Sequence, residues 1–125
     1  MIPGSKGKHP SFKRGLLFAI QGIRVAFAQE ANLRRMAIIA FITVIVGFIV
    51  RLDVLSWVVV LACIGSVLTT ELLNTAIETV VDLVSPEFHP MAGKAKDIAA
   101  AASACISITA ACIGLLIFLR AIFTW

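Results

Sequence analysis

Charge is scarce in this sequence and acid scarcer still: 14% of the 125 residues are charged, and only seven are Asp or Glu. A soluble domain of this length exposes more surface than so few polar side chains cover, which excludes an ordinary water-soluble fold. Cysteine is confined to Cys63, Cys105 and Cys112, an odd number inside apolar stretches. They read as small apolar packing residues rather than a disulfide framework or a metal site. Basic residues are not interleaved with aromatics, so the net charge of +4 does not describe a nucleic-acid surface. The first apolar stretch begins only after about 35 mostly polar or amphipathic residues, so no cleavable signal peptide is expected. There is no internal repeat and no break in composition, which leaves a single domain over residues 1–125.

What is present is apolar. Hydrophobic residues make up 60% of the chain and the mean hydropathy is +1.01, the composition of an integral membrane protein. The expected class is all-α, with three spans at about 34–52, 54–84 and 90–123. Residues 1–11, punctuated by Gly, Lys and Pro, are expected to fray. Over about 13–30, Leu16, Ile20, Ile23 and Phe27 recur at helical spacing with Arg14, Gln21 and Arg24 on the other side. That pattern describes an amphipathic helix, lying on the membrane surface or packed on the protein's own bundle. Lys6, Lys8, Lys13, Arg14, Arg24, Arg34 and Arg35 precede the first span, and Lys94 and Lys96 separate the second from the third. The other side carries only Arg51 and Arg120. The excess of basic residues predicts a cytoplasmic N-terminus and an outer C-terminus.

Arg51-Leu52-Asp53 leaves room only for a tight outer turn. The following helix meets no breaker before Ser85-Pro86, because a residue ahead of proline is pushed out of the helical region. At 1.5 Å per residue it is roughly 46 Å long. The hydrocarbon core is only about 30 Å thick, so the helix overshoots the bilayer on the inner side. Glu71, Asn74, Glu78 and Asp82 fall within about 80° of one another on that overshooting helix. Pro90 suits the first residue of the last helix, which brings Lys94, Lys96 and Asp97 to the same depth. Carboxylates at a membrane are costly and mark chemistry or ion movement. Hard carboxylate oxygens suit Mg²⁺, and cations suit phosphates, so phosphoryl transfer is one reading. No GxxxxGK followed by Ser or Thr occurs, nor any HRD or DFG, which excludes familiar soluble kinase architectures. A small oligomeric transporter with the stripe as a proton or cation relay is the reading of another class. A relay should run the full depth of the bilayer, whereas residues 57–68 hold no ionisable side chain except Cys63.

The wording of the stripe is more specific than its spacing. Glu71-Leu-Leu-Asn74-Thr-Ala-Ile-Glu78-Thr-Val-Val-Asp82 resembles the signature of the prokaryotic diacylglycerol kinase family, small three-span lipid kinases. Ser85-Pro-Glu87-Phe-His89-Pro-Met-Ala-Gly-Lys94-Ala-Lys96-Asp97 continues the resemblance in register. Upstream, Gln21-Gly-Ile-Arg24 and Gln29-Glu30-Ala-Asn32 resemble its surface-helix segment.

The resemblance implies a homotrimer with shared sites, cytoplasmic ATP and Mg²⁺, and a membrane lipid alcohol as acceptor. Glu71 is implied as the general base, with Asn74 beside it at the substrate. Glu30 and Glu78 are implied as Mg²⁺ ligands. Glu30, Glu78, Asp82, Lys96 and Asp97 are implied on the nucleotide side. Family members of Gram-negative type read Ser-Glu-Tyr-His-Glu in the second loop and carry Ser at the position of Ala100. Ser85-Pro86-Glu87-Phe88-His89-Pro90 is instead similar to the Gram-positive branch, whose acceptor is undecaprenol. The resemblance thus leans to undecaprenol, with diacylglycerol as the alternative. Glu87 reads as a solvated loop residue, His89 as a helix-start residue and Lys94 as a flanking charge. Residues 99–102 read as a close-packing surface of alanines.

Overall fold

The computed structural model describes residues 11–123; the start expected to fray, with Lys6 and Lys8, lies almost entirely outside them. Four α-helices follow one another: α1 Phe12–Gln29, α2 Ala31–Ile49, α3 Val54–Val84 and α4 Pro90–Phe123. The last three are long and apolar enough to cross a membrane. Ser11 belongs to the ordered structure: its hydroxyl accepts from the Arg14 N–H and caps α1.

A single residue separates α1 from α2. Glu30 is extended, at φ −108° and ψ 107°, and its backbone N–H closes α1 on Ala26 O at 2.9 Å. Arg34 reaches back to the Phe27 and Ala28 carbonyls at 2.6 and 3.2 Å, satisfying acceptors that end α1. Leu33, fully buried, and Ala26 seat the corner.

α2 stops at Ile49, short of the expected end at 52, because the next residues terminate it. Arg51 N–H bonds Phe48 O at 3.3 Å, and Leu52 N–H bonds Gly47 O at 3.1 Å. These are the two bonds of a Schellman cap, and they place Arg51 in the left-handed region at φ 59°. Trp57 packs on Gly47 so closely that a Cβ there would lie 2.7 Å from the indole. The same ring sits 4.8 Å from Phe48. Asp53 then caps α3, its carboxylate accepting from Ser56 N–H at 2.9 Å.

α3 and α4 form the most extensive helix pair, joined by the short turn 85–89. The Ser85 hydroxyl donates to Glu87 O. His89 Nδ1 accepts from Met91 N–H at 3.1 Å, so His89 is a helix-start residue, with Pro90 behind it as the first helical position. Of the alanines at 99–102, only Ala99 is buried within the chain. Little apolar surface is covered overall. Ile38, Ile39, Phe41, Ile42 and Phe48 of α2 are all exposed, as suits helices meeting lipid or further protein. Cys63, Cys105 and Cys112 are free thiols.

Candidate active site

Glu71 is the most deeply placed acid, 3% exposed on the face of α3 turned to α4. Its two carboxylate oxygens are held from two other helices. Asn32 Nδ2 of α2 donates to Oε1 at 3.1 Å, and Ser103 Oγ of α4 donates to Oε2 at 2.5 Å. A buried carboxylate is stable only with such donors. Thr75 returns its hydroxyl to the Glu71 carbonyl, completing a polar knot in an apolar bundle.

One turn further along α3, Asn74 Nδ2 donates to Glu78 Oε1 at 3.3 Å. Its carbonyl oxygen, Oδ1, is buried and lacks a partner among the described residues. Leaving a buried acceptor unpaired costs roughly 1–3 kcal/mol, so this oxygen is suited to accept from a donor or to ligate a cation. Another turn on, Asp82 pairs with Lys96 of α4 across 2.5 Å. Asp97 and Lys94 are exposed. Glu30 stands at the α1–α2 corner, two residues before the asparagine that holds Glu71.

A cavity of about 670 Å³ opens between α2, α3 and α4. Asn32 and Arg35 stand at one end and Phe118 at the other, with Ile39, Val60, Ala110 and Gly114 along the walls. Its lining is mostly apolar, and Asn32 joins it directly to the Glu71 carboxylate. The buried Ser107 hydroxyl, also on its wall, has no partner among the described residues.

Against that geometry, residues 17–118 match the family model described as prokaryotic diacylglycerol kinase. The chain belongs to the prokaryotic diacylglycerol kinase family. It is 40% identical over 108 residues to the undecaprenol kinase of Bacillus subtilis (strain 168), covering 86% of this chain and 88% of that protein. It is 38% identical over 101 residues to a diacylglycerol kinase of Helicobacter pylori (strain J99), covering 80% and 77%. With the diacylglycerol kinase of Escherichia coli (strain K12) it shares 32% identity over 85 residues, covering 68% and 70%.

This member of the diacylglycerol kinase family is therefore a lipid kinase, a multi-pass membrane enzyme of ATP-dependent phosphoryl transfer. Within its fold, Glu71, Asn74 and Glu78 stand together on α3, and Asp82 with Lys96 closes the turn between α3 and α4. Asp97, next to Lys96, is exposed within the chain. Asn32 and Ser103 were not singled out as site residues from the sequence. The available signal for Ser103 was a hydroxyl interrupting an alanine run on a span, seven residues from Lys96.

Proposed function

We propose that this lipid kinase phosphorylates undecaprenol, with diacylglycerol as the alternative acceptor. The observation that carries the site reading is Glu71, buried, held at both oxygens and joined through Asn32 to an apolar cavity. A lipid alcohol keeps its chain in the bilayer while presenting its hydroxyl at such a carboxylate. Undecaprenol is favoured by the Ser85–Pro90 loop and by likeness to an undecaprenol kinase along most of both chains.

In this reading Glu71 is the general base that takes the hydroxyl proton as the oxygen attacks the γ-phosphate, and Asn74 holds the site beside it. Lys96 screens charge on the phosphates, with Asp82 and Asp97 at the nucleotide end. The donor set suits Mg²⁺. Among the described residues no three His, Cys, Asp or Glu side chains converge into a metal cage. Mg²⁺ is commonly bound by one or two carboxylates together with substrate phosphates. Glu78 and Glu30 supply such carboxylates, and the unpaired Asn74 Oδ1 adds a neutral oxygen next to Glu78. When bound, Mg²⁺ neutralises phosphate oxygens during transfer.

The assembly in this reading is a homotrimer in the bacterial plasma membrane, with α1 as an amphipathic helix on the inner surface. The N-terminus and the active site then face the cytoplasm and the C-terminus lies outside. The basic excess at residues 13–35 supports the orientation, and the exposed apolar faces of α2 and α4 support assembly. Transfer of labelled phosphate from ATP in mixed micelles, with undecaprenol and diacylglycerol offered separately, tests the substrate. Preferred labelling of undecaprenol is expected, and preferred labelling of diacylglycerol reverses the assignment.

A further inference from the structure

We propose that the two oxygens of Glu71 have separate tasks: Ser103 anchors Oε2, while Oε1, bonded to the cavity-lining Asn32, takes the proton of the acceptor hydroxyl. This rests on the reading of Glu71 as the general base. Hydroxyls on membrane helices commonly satisfy themselves on their own backbone. Thr43, Thr70, Thr75, Thr79 and Thr109 all do so, each donating to the carbonyl four residues back. Ser103 has the same option at Ala99 and does not take it. Its hydroxyl crosses to another helix and meets Glu71 Oε2 at 2.5 Å.

A carboxylate acceptor makes that bond stronger than a neutral one, and burial of both partners keeps water from competing. Ser103 is 6% exposed and Glu71 3%. A long glutamate side chain otherwise samples several rotamers, and this bond holds one of them. Asn32 differs in every respect that matters. It is exposed, its bond to Oε1 comes from a neutral amide, and it lines the apolar cavity. A carboxylate oxygen accepts more than one hydrogen bond, so Oε1 can receive a hydroxyl arriving along the cavity without losing Asn32.

In the transfer, the acceptor O–H bond breaks and its proton passes to Oε1. The oxygen's electron pair forms the bond to the γ-phosphorus, and ADP leaves with the pair of the broken P–O bond. Ser103 keeps its own proton throughout and is a positioning residue. Asn32 orients the incoming hydroxyl.

The test is steady-state kinetics of the whole assembled protein in mixed micelles. Ser103→Ala should lower kcat by about tenfold or more, while KM for ATP and for lipid stays within about threefold, because orientation is lost and binding is not. Asn32→Ala should chiefly raise KM for the lipid. A merely structural serine would lower the yield of assembled protein without moving kcat per assembled molecule. Ser103→Cys provides a second variant of similar size with only a weak donor, and it should follow Ser103→Ala. Wild-type kcat in either assembled Ser103 variant overturns the proposal. An active Glu71→Gln would instead remove the general-base reading itself. Loss in Glu71→Gln with normal turnover in Ser103→Ala leaves the base standing and removes the anchor.

Discussion

Lys96 Nζ lies 2.5 Å from Asp82 Oδ1, tying the start of α4 to the end of α3 about 16 Å along the helix axis from Glu71. The two side chains are 40% and 64% exposed, so water screens the pair and it adds little to stability. In the proposed reading, a cation so weakly held by its partner can turn to an incoming phosphate. Lys94 faces solvent about 200° away around the same helix.

Lys96→Met should therefore lower kcat/KM for ATP by at least roughly tenfold, about 1.4 kcal/mol of transition-state stabilisation. Lys94→Met should stay within about threefold of wild type, since an exposed flanking charge makes no directed contact. Titrating ATP at saturating lipid separates the two. Equal losses would mean that only the local positive potential matters.

If Glu78 and Glu30 hold Mg²⁺ as proposed, Glu78→Gln and Glu30→Gln should each raise the Mg²⁺ concentration needed for half-maximal activity, since each removes an anionic oxygen. Glu78→Gln should act more strongly, because Asn74 already ties Glu78 to the unpaired Oδ1 beside it. Glu30 has a competing explanation as an ion-pair partner of Arg34 four residues on. The guanidinium of Arg34 goes to the Phe27 and Ala28 carbonyls instead. Mg²⁺ titrations unchanged in both variants would sink the metal assignment.

The polar face of α3 was legible because a 100° step puts Glu71, Asn74, Glu78 and Asp82 on one stripe whatever surrounds it. The helix starts were legible too, since Asp53 and Pro90 act within their own turn. What α4 contributes was not. Ser103 meets Glu71 across 32 positions, and the relative rotation of two packed helices is written in no local pattern. The alanine run has the same limit: all four residues suit close packing, and it is the rotation of α4 that selects Ala99 for burial within the chain. The α2–α3 turn hid its conformation because arginine, rather than glycine, occupies its left-handed position.

Asp53 supplies a pH dependence whose sign can be worked out. Hydrogen bonds from Ser56, side chain first and then backbone N–H, hold its carboxyl below the usual 3.8. A lowered value means that its stabilisation is complete above the unfolded value and fades as pH falls through the folded one. Thermal unfolding in detergent should thus lose a contribution below about pH 4 in the wild type. Asp53→Asn, which caps without a charge, should lack that component. Identical acid limbs in the two proteins would exclude Asp53 as its source.

Arg51→Gly should stabilise the α2–α3 hairpin. Arg51 sits at φ 59°, where an L side chain costs about 1–2 kcal/mol and glycine pays almost none. Its position is imposed by the cap: the Leu52 and Arg51 N–H groups must reach Gly47 O and Phe48 O. Trp57 packed on Gly47 and Phe48 leaves the turn little room to open. Glycine also enlarges the freedom of the unfolded chain, which cancels part of the gain. A net increase of about 0.5–1 kcal/mol is expected, seen as a higher Tm in detergent, with Arg51→Val moving it downward. Kinase activity should not change, because the turn lies about 26 Å along α3 from Glu71. A lower Tm for Arg51→Gly would mean that the arginine side chain makes a contact at this turn worth more than the backbone strain.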